Sequence, residues 1–222
     1  MRGPAALLTG FDPYGGGTAN PSALVARTLD GVEIGGVRVV GRTLPVSLRG
    51  LRADAERLLE EVRPVAVVSL GLWPGEPVIR LERIAVNVAD YEIPDNDAAF
   101  VTDGQVEAGS AAALRSRLPL RAIEARLLRA GIPARVSNTA GTFLCNATMY
   151  TFLRLTGEAP SGFVHLPYLP EQVAALLEAL KAERRLELHQ RADLASMSLD
   201  TMVEAVRVVL ATTLETAGAA TR

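Results

Sequence analysis

One cysteine and two histidines carry the reactive side chains that matter most in this 222-residue chain. Cys145 stands near the end of SNTAGTFLCN, Ser137 to Asn146, where a strand pattern gives way through small and polar residues to helical spacing. A thiol at a helix start faces unpaired backbone N–H groups and the positive end of the helix dipole. That setting lowers a thiol pKa below its usual value of about 8.5, and the same N–H groups suit an oxyanion. The residues alone also admit a buried structural cysteine, the commoner role of a free thiol. His165 closes the apolar run of SGFVHLPYLPEQ, Ser161 to Gln172, just before Pro167. It reads either as a satisfied core imidazole or as a partner for the thiol. A cysteine and a histidine that both sit at strand ends make a much rarer coincidence than either alone. His189, in the charged stretch 184–191, reads as solvated.

A thiol–imidazole pair needs a third group to orient the ring. Glu82 lies in IRLERIAVNV, flanked by Arg80 and Arg83, in an otherwise apolar strand. A carboxylate there is costly if buried without a partner, and an edge-strand salt bridge to either arginine explains it equally well. A further break in the pattern is GFDPYGGG, Gly10 to Gly17, directly after the first strand. Its spacing is not that of a phosphate cradle. Its two rings, Phe11 and Tyr14, suit a flat uncharged ligand at a strand's carboxyl end, or simply a tight turn with both rings in the core.

The elements that must position these groups alternate between strand and helix. Strands are expected over 5–9, 37–46, 65–72, 79–88, 134–137 and 162–166, and helices over 21–29, 48–62, 121–130, 145–155 and 199–216. Pro21 and Gly31 bracket the first helix, and Ser198 or Asp200 caps the last. Val65–Leu72 is the continuous apolar run of a strand covered on both faces. From Asp95 to Pro119 no period is evident, which suggests a long loop or short hairpin beside the core, a candidate flexible lid. The expected fold is a single α/β domain over 1–222 with a mixed, largely parallel central sheet between two helical layers, α/β/α.

Composition narrows the function. Hydrophobic residues at 49% supply a core, and 23 basic against 25 acidic residues leave no basic excess for nucleic acid. A lone cysteine forbids an intrachain disulfide and any cysteine-rich metal centre. No apolar stretch approaches the roughly 18 residues of a membrane helix, and the first residues do not read as a signal peptide, so a cytoplasmic protein is expected.

The motifs GFDPYGG with Asn20-Pro21, LERIAVNV leading to IPDN, SNTAGTFLCN and GFVHLPYLPEQ occur in that order and resemble the signatures of the type I pyroglutamyl peptidases. The resemblance runs from residue 8 to about 172. It implies a phosphorylase/hydrolase-like α/β/α fold, no cofactor or metal, and removal of pyroglutamate from peptide N-termini through a Cys/His/Glu triad and an acyl-enzyme. Cys145 then matches the nucleophile, His165 the acid/base and Glu82 the triad carboxylate. The substrate-binding positions implied are Phe11, Tyr14, Asn20, Leu72, Phe143, Glu92 and Ile93. The partners implied are pyroglutamyl peptides and further copies of the chain, as a tetramer or dimer.

Two positions depart from the family pattern. Glu92 stands where arginine is usual before IPDN, and Leu72 where glutamine is usual. A carboxylate near the site raises a thiol pKa and repels an oxyanion, so attenuated activity is expected. The alternative is a catalytically impaired protein that binds pyroglutamate or pyroglutamyl peptides on the same fold.

Overall fold

The computed structural model describes residues 3–184 and 194–220. In chain order the elements are β1 (Ala5–Phe11), α1 (Pro21–Leu29), β2 (Glu33–Ile34), β3 (Val37–Leu44), α2 (Leu48–Val62), β4 (Ala66–Leu72), β5 (Ile79–Glu82), β6 (Ile84–Val86), β7 (Ala113–Arg115), α3 (Leu120–Arg129), β8 (Ala134–Ser137), α4 (Leu144–Leu155), β9 (Ser161–Leu166), α5 (Pro170–Ala182) and α6 (Leu199–Ala220). Seven strands form one sheet in the order β2-β3-β1-β4-β9-β5-β8. β3, β1, β4 and β9 run parallel, β5 opposes β9, and β8 runs parallel to β5.

Strand alternation divides the core into two. Leu8, Val68, Leu70, Leu81 and Val164 face one side with α1, α3 and α6, while Leu7, Val67 and Phe163 face the other with α2 and α4. Every residue of β4 is buried, as its unbroken apolar run requires. The result is the expected three-layer α/β/α architecture with a mixed, largely parallel sheet.

Local chemistry explains several boundaries. Asn20 caps α1, its Oδ1 accepting the Ser22 N–H at 3.1 Å, and Pro21 follows at the first helical position. Ser198 Oγ accepts the Thr201 N–H at 3.2 Å at the start of α6, so Ser198 rather than Asp200 is the capping residue.

Two features differ from the sequence expectation. The expected strand 79–88 divides after Glu82: the Arg83 N–H bonds the Ser137 carbonyl, and Ile84–Val86 leaves to pair antiparallel with β7. α5 has no counterpart among the expected elements. Pro170 starts it, and Gln172 Oε1 accepts the Leu169 N–H at 3.0 Å. Within 95–119, Leu118 is buried, Asp95 Oδ1 accepts the Asp97 and Ala99 N–H groups, and Asn87 clamps the Glu107 backbone from both sides.

Candidate active site

The alternation that buries Phe163 also sets His165 on the same face of β9, toward α4. His165 is 1% exposed, with Gly71 of β4 beside it on one flank and Arg80 of β5 on the other. Cys145 is the second residue of α4 and enters from above. A Cβ built on Gly71 would lie 2.7 Å from Cys145 Sγ and 2.9 Å from the Phe163 ring. Gly71 is therefore a requirement of close approach: the sulfur occupies the space a side chain would take. Gly141, in the loop that leads into α4, is required for a different reason: its φ of +78° lies in the left-handed region, while a Cβ there would meet the Trp73 ring only at an ordinary 3.6 Å.

Glu82 is fully buried behind the imidazole. Its Oε1 accepts from His165 Nδ1 at 2.9 Å and from Arg80 Nε at 3.0 Å. The salt bridge suggested by the sequence and the contact to the histidine thus both exist. β5 is an interior strand, so Glu82 is not on an edge. Trp73 covers the imidazole edge-on, with ring centroids 4.9 Å apart and planes at 79°. Its face receives the Arg80 guanidinium at 3.7 Å, a cation–π contact.

Cys145 and His165 open into one cavity of about 360 Å³, within the range of small-molecule sites. All seven residues expected around the substrate line it: Phe11, Tyr14, Asn20, Leu72, Phe143, Glu92 and Ile93. Phe143 packs between Tyr14 and Tyr91, at centroid distances of 6.2 and 4.7 Å. The amide of Asn20 is occupied, since Oδ1 accepts from Ser22 and Nδ2 donates to the Asp12 carbonyl at 3.1 Å. It holds the Phe11–Tyr14 turn against α1. Glu92 is solvent-exposed at the rim, and Ile93 is 44% exposed. His189 lies outside the described residues.

Sequence reasoning missed Trp73, Asp90 and Thr142 of the lining, and the role of Arg80. Trp73 was visible as the chain's single tryptophan beside the departure at Leu72. Asp90 and Thr142 meet through paired main-chain and hydroxyl bonds between two distant loops, for which no local pattern exists.

The electrostatics correct one expectation. The Cys145 thiol is not activated by its helix start: burial first, then the Glu82 charge, push its pKa up to about 12, against a smaller opposing effect of its own N–H. Burial likewise lowers His165 below the ordinary imidazole value, more than the Glu82 bond and charge raise it. Desolvation outweighs that N–H because the neighbours of the half-buried Cys145 in the first turn of α4, Leu144, Asn146 and Ala147, are packed into the core. In the free protein the pair is therefore thiol and neutral imidazole, not thiolate and imidazolium. Among the described residues no group of three or more His, Cys, Asp or Glu side chains is placed to hold a metal ion.

A thiol and an imidazole that open into one aromatic-walled cavity, with a carboxylate bonded behind the imidazole, on an α/β/α sheet, mark a cysteine hydrolase. Residues 5–216 match the family model described as pyroglutamyl peptidase. The chain is 44% identical over 171 residues to the pyrrolidone-carboxylate peptidase of Pyrococcus furiosus, covering 75% of this chain and 82% of that one. It is 39% identical over 213 residues to the pyrrolidone-carboxylate peptidase of Thermococcus onnurineus, covering 94% and 98%. Among solved structures, pyrrolidone carboxyl peptidase from Pyrococcus furiosus superposes with a TM-score of 0.88 at 37% identity, covering 96% of this chain and 99% of that one. The chain belongs to the pyroglutamyl peptidase family of cysteine peptidases.

Proposed function

We propose that this protein hydrolyses the amide bond between an N-terminal pyroglutamyl residue and the rest of a peptide, with Cys145 as nucleophile, His165 as acid/base and Glu82 as the group that orients His165. The observation that carries this reading is the Glu82–His165 bond of 2.9 Å, set behind a cavity onto which both His165 and Cys145 open.

With both groups neutral, the thiol loses its proton as it attacks. Cys145 Sγ bonds to the pyroglutamyl carbonyl carbon while His165 Nε2 takes the S–H proton, Nδ1 being held by Glu82. The oxygen becomes an oxyanion beside the start of α4, where no side chain caps the first N–H groups. Each well-placed donor there stabilises the oxyanion by about 3 kcal/mol. The imidazolium passes its proton to the departing nitrogen, the C–N bond breaks, and a pyroglutamyl thioester remains. Water then attacks the thioester, giving one proton to His165. The C–S bond breaks, and Cys145 regains the proton as pyroglutamate leaves.

The pyroglutamyl ring carries no ammonium, which suits a cavity walled by Phe11, Tyr14 and Phe143. Leu72, whose side chain has no amide, can offer the lactam polar contact only through its backbone. Glu92 places a negative charge at the rim and attenuates turnover, less than a buried carboxylate would because water screens it.

The test is release of a fluorescent amine from a pyroglutamyl-amine reporter by the wild type, Cys145→Ser and Glu92→Arg side by side. Turnover by the wild type that Cys145→Ser abolishes supports the reading. Thermal stabilisation by pyroglutamate without any turnover favours a binding protein instead.

A further inference from the structure

Arg80 is buried, only 6% exposed, and a guanidinium buried so far is costly unless its donors are used. They are used in several directions at once. Nε donates to Glu82 Oε1 at 3.0 Å, Nη1 to Glu76 Oε2 at 3.2 Å, and Nη2 to Ser137 Oγ at 2.7 Å and to the Thr139 carbonyl at 2.9 Å. The guanidinium also lies against the Trp73 face whose edge covers His165.

Two of these contacts concern the reaction directly. Arg80 and His165 donate to the same oxygen, Glu82 Oε1, while Glu82 Oε2 is buried with no hydrogen-bond partner. The carboxylate's charge is thereby divided between a permanent cation and the imidazole. On the other side of the fork, the Thr139 carbonyl belongs to the loop that leads from β8 to the nucleophile at the start of α4.

Resting on the triad roles above, we infer that Arg80 is a positioning residue that limits the basicity of His165 and ties the Cys145 loop to the Glu82–His165 pair. If Glu82 served His165 alone, its full charge would draw the imidazole toward the protonated form against the effect of burial, and a protonated ring cannot take the thiol proton. Arg80 prevents this by neutralising part of that charge at its source, and its positive field acts on the ring in the same direction. The ionisable groups around His165 are Glu82 and Arg80 from β5, Glu76 from the segment before it and Cys145 from α4, with Tyr14, Asp90 and Glu92 on the walls of the cavity it opens into. Glu76 also holds Arg135, so it stays paired when Arg80 is changed.

The readout is the His165 titration followed by NMR with labelled histidine, the His165 signal being assigned by its loss in His165→Gln. Arg80→Met and the more polar Arg80→Gln both raise the His165 midpoint by about one unit or more, because a cation within a few ångströms is removed. The acid limb of kcat/KM moves up with it. Arg80→Lys retains the charge and holds the midpoint near wild type. It still lowers kcat by about tenfold with little change in KM, because an ammonium cannot span Glu82, Ser137 and Thr139 together. A merely structural role would lower the folded fraction and leave the midpoint of the folded protein in place. An unmoved midpoint in both uncharged variants overturns the charge-limiting role; if both fail to fold, wild-type kcat in Arg80→Lys overturns the positioning role. The titration needs no turnover, so a wild type that fails to cleave the reporter would refute the proposed function and leave the Arg80 result readable.

Discussion

Gly71→Ala places a methyl group where the nucleophile now sits. The added Cβ would lie 2.7 Å from Cys145 Sγ and 2.9 Å from the Phe163 ring, and both must retreat. An ordinary contact needs roughly 3.7 Å, so the sulfur moves by about 1 Å. A displacement of that size at a reacting atom costs about 10²-fold in rate, whereas the aromatic walls that bind the ring are untouched. The expectation is a kcat lowered by about 10²-fold with KM nearly unchanged. Overpacking also costs stability, about 1–3 kcal/mol, so the comparison needs a variant with a similar defect elsewhere. Gly162→Ala supplies it: its Cβ would strike Ser116 and Leu118 on the opposite face of β9. That variant should melt at lower temperature and keep its kcat per folded molecule. The assay is reporter turnover normalised to the folded fraction from circular dichroism. A Gly71→Ala protein that is folded and within threefold of wild-type kcat would refute the placement of the sulfur against β4.

Four further outcomes follow from the same geometry. Glu82→Gln removes the charge that supports imidazolium while keeping the shape, and kcat should fall by about 10²-fold or more in steady-state kinetics. Because the Cys145 thiol is raised to about 12 in the folded protein, the unfolded chain loses that proton first as pH rises above its ordinary value. Stability contributed by this group is full below pH ~9 and falls between there and its folded value, so the melting temperature of Cys145→Ser should decline less on the alkaline side than that of wild type. His165 has the opposite sign: its folded pKa is lowered, so its contribution is lost as pH falls below about 6.5, visible as an acid-side decline that His165→Gln lessens. Glu92→Arg should raise kcat/KM by less than about tenfold, since the residue is exposed and screened; a loss of activity would mean that Glu92 serves the site rather than impairs it.

Much of this architecture was legible in the residues because local rules and tertiary packing agree. α1 and α2 begin and end where Pro21, Gly31 and the Leu51-Ala55-Leu58 spacing place them, and β8 spans the expected 134–137. α5 was not legible in the same way: of its residues only Val173 is buried, so burial leaves little apolar stripe to read. The division of 79–88 was hidden because Ile84–Val86 is as strand-like as Ile79–Leu81, and only pairing with the three residues of β7 draws it into another sheet. At the site, Cys145, His165 and the lining residues Phe11, Tyr14 and Phe143 stood out at element boundaries, where chemistry breaks the core pattern. What could not be read was the sign of the thiol shift. It depends on how deeply α4 is packed, and helix dipole and desolvation pull in opposite directions there. Nor does an i, i+2 pair such as Arg80 and Glu82 reveal that both share one oxygen with a histidine from a neighbouring strand.

The central claim is that Cys145 carries the pyroglutamyl group during turnover. The most direct measurement is rapid acid quench of the enzyme with excess pyroglutamyl reporter, followed by mass spectrometry of the peptide containing Cys145. The expected result is a pyroglutamyl thioester on Cys145 that forms at the rate of the first turnover and is absent from Cys145→Ser. Steady turnover with no adduct at any quench time, or turnover retained by Cys145→Ser, would contradict it.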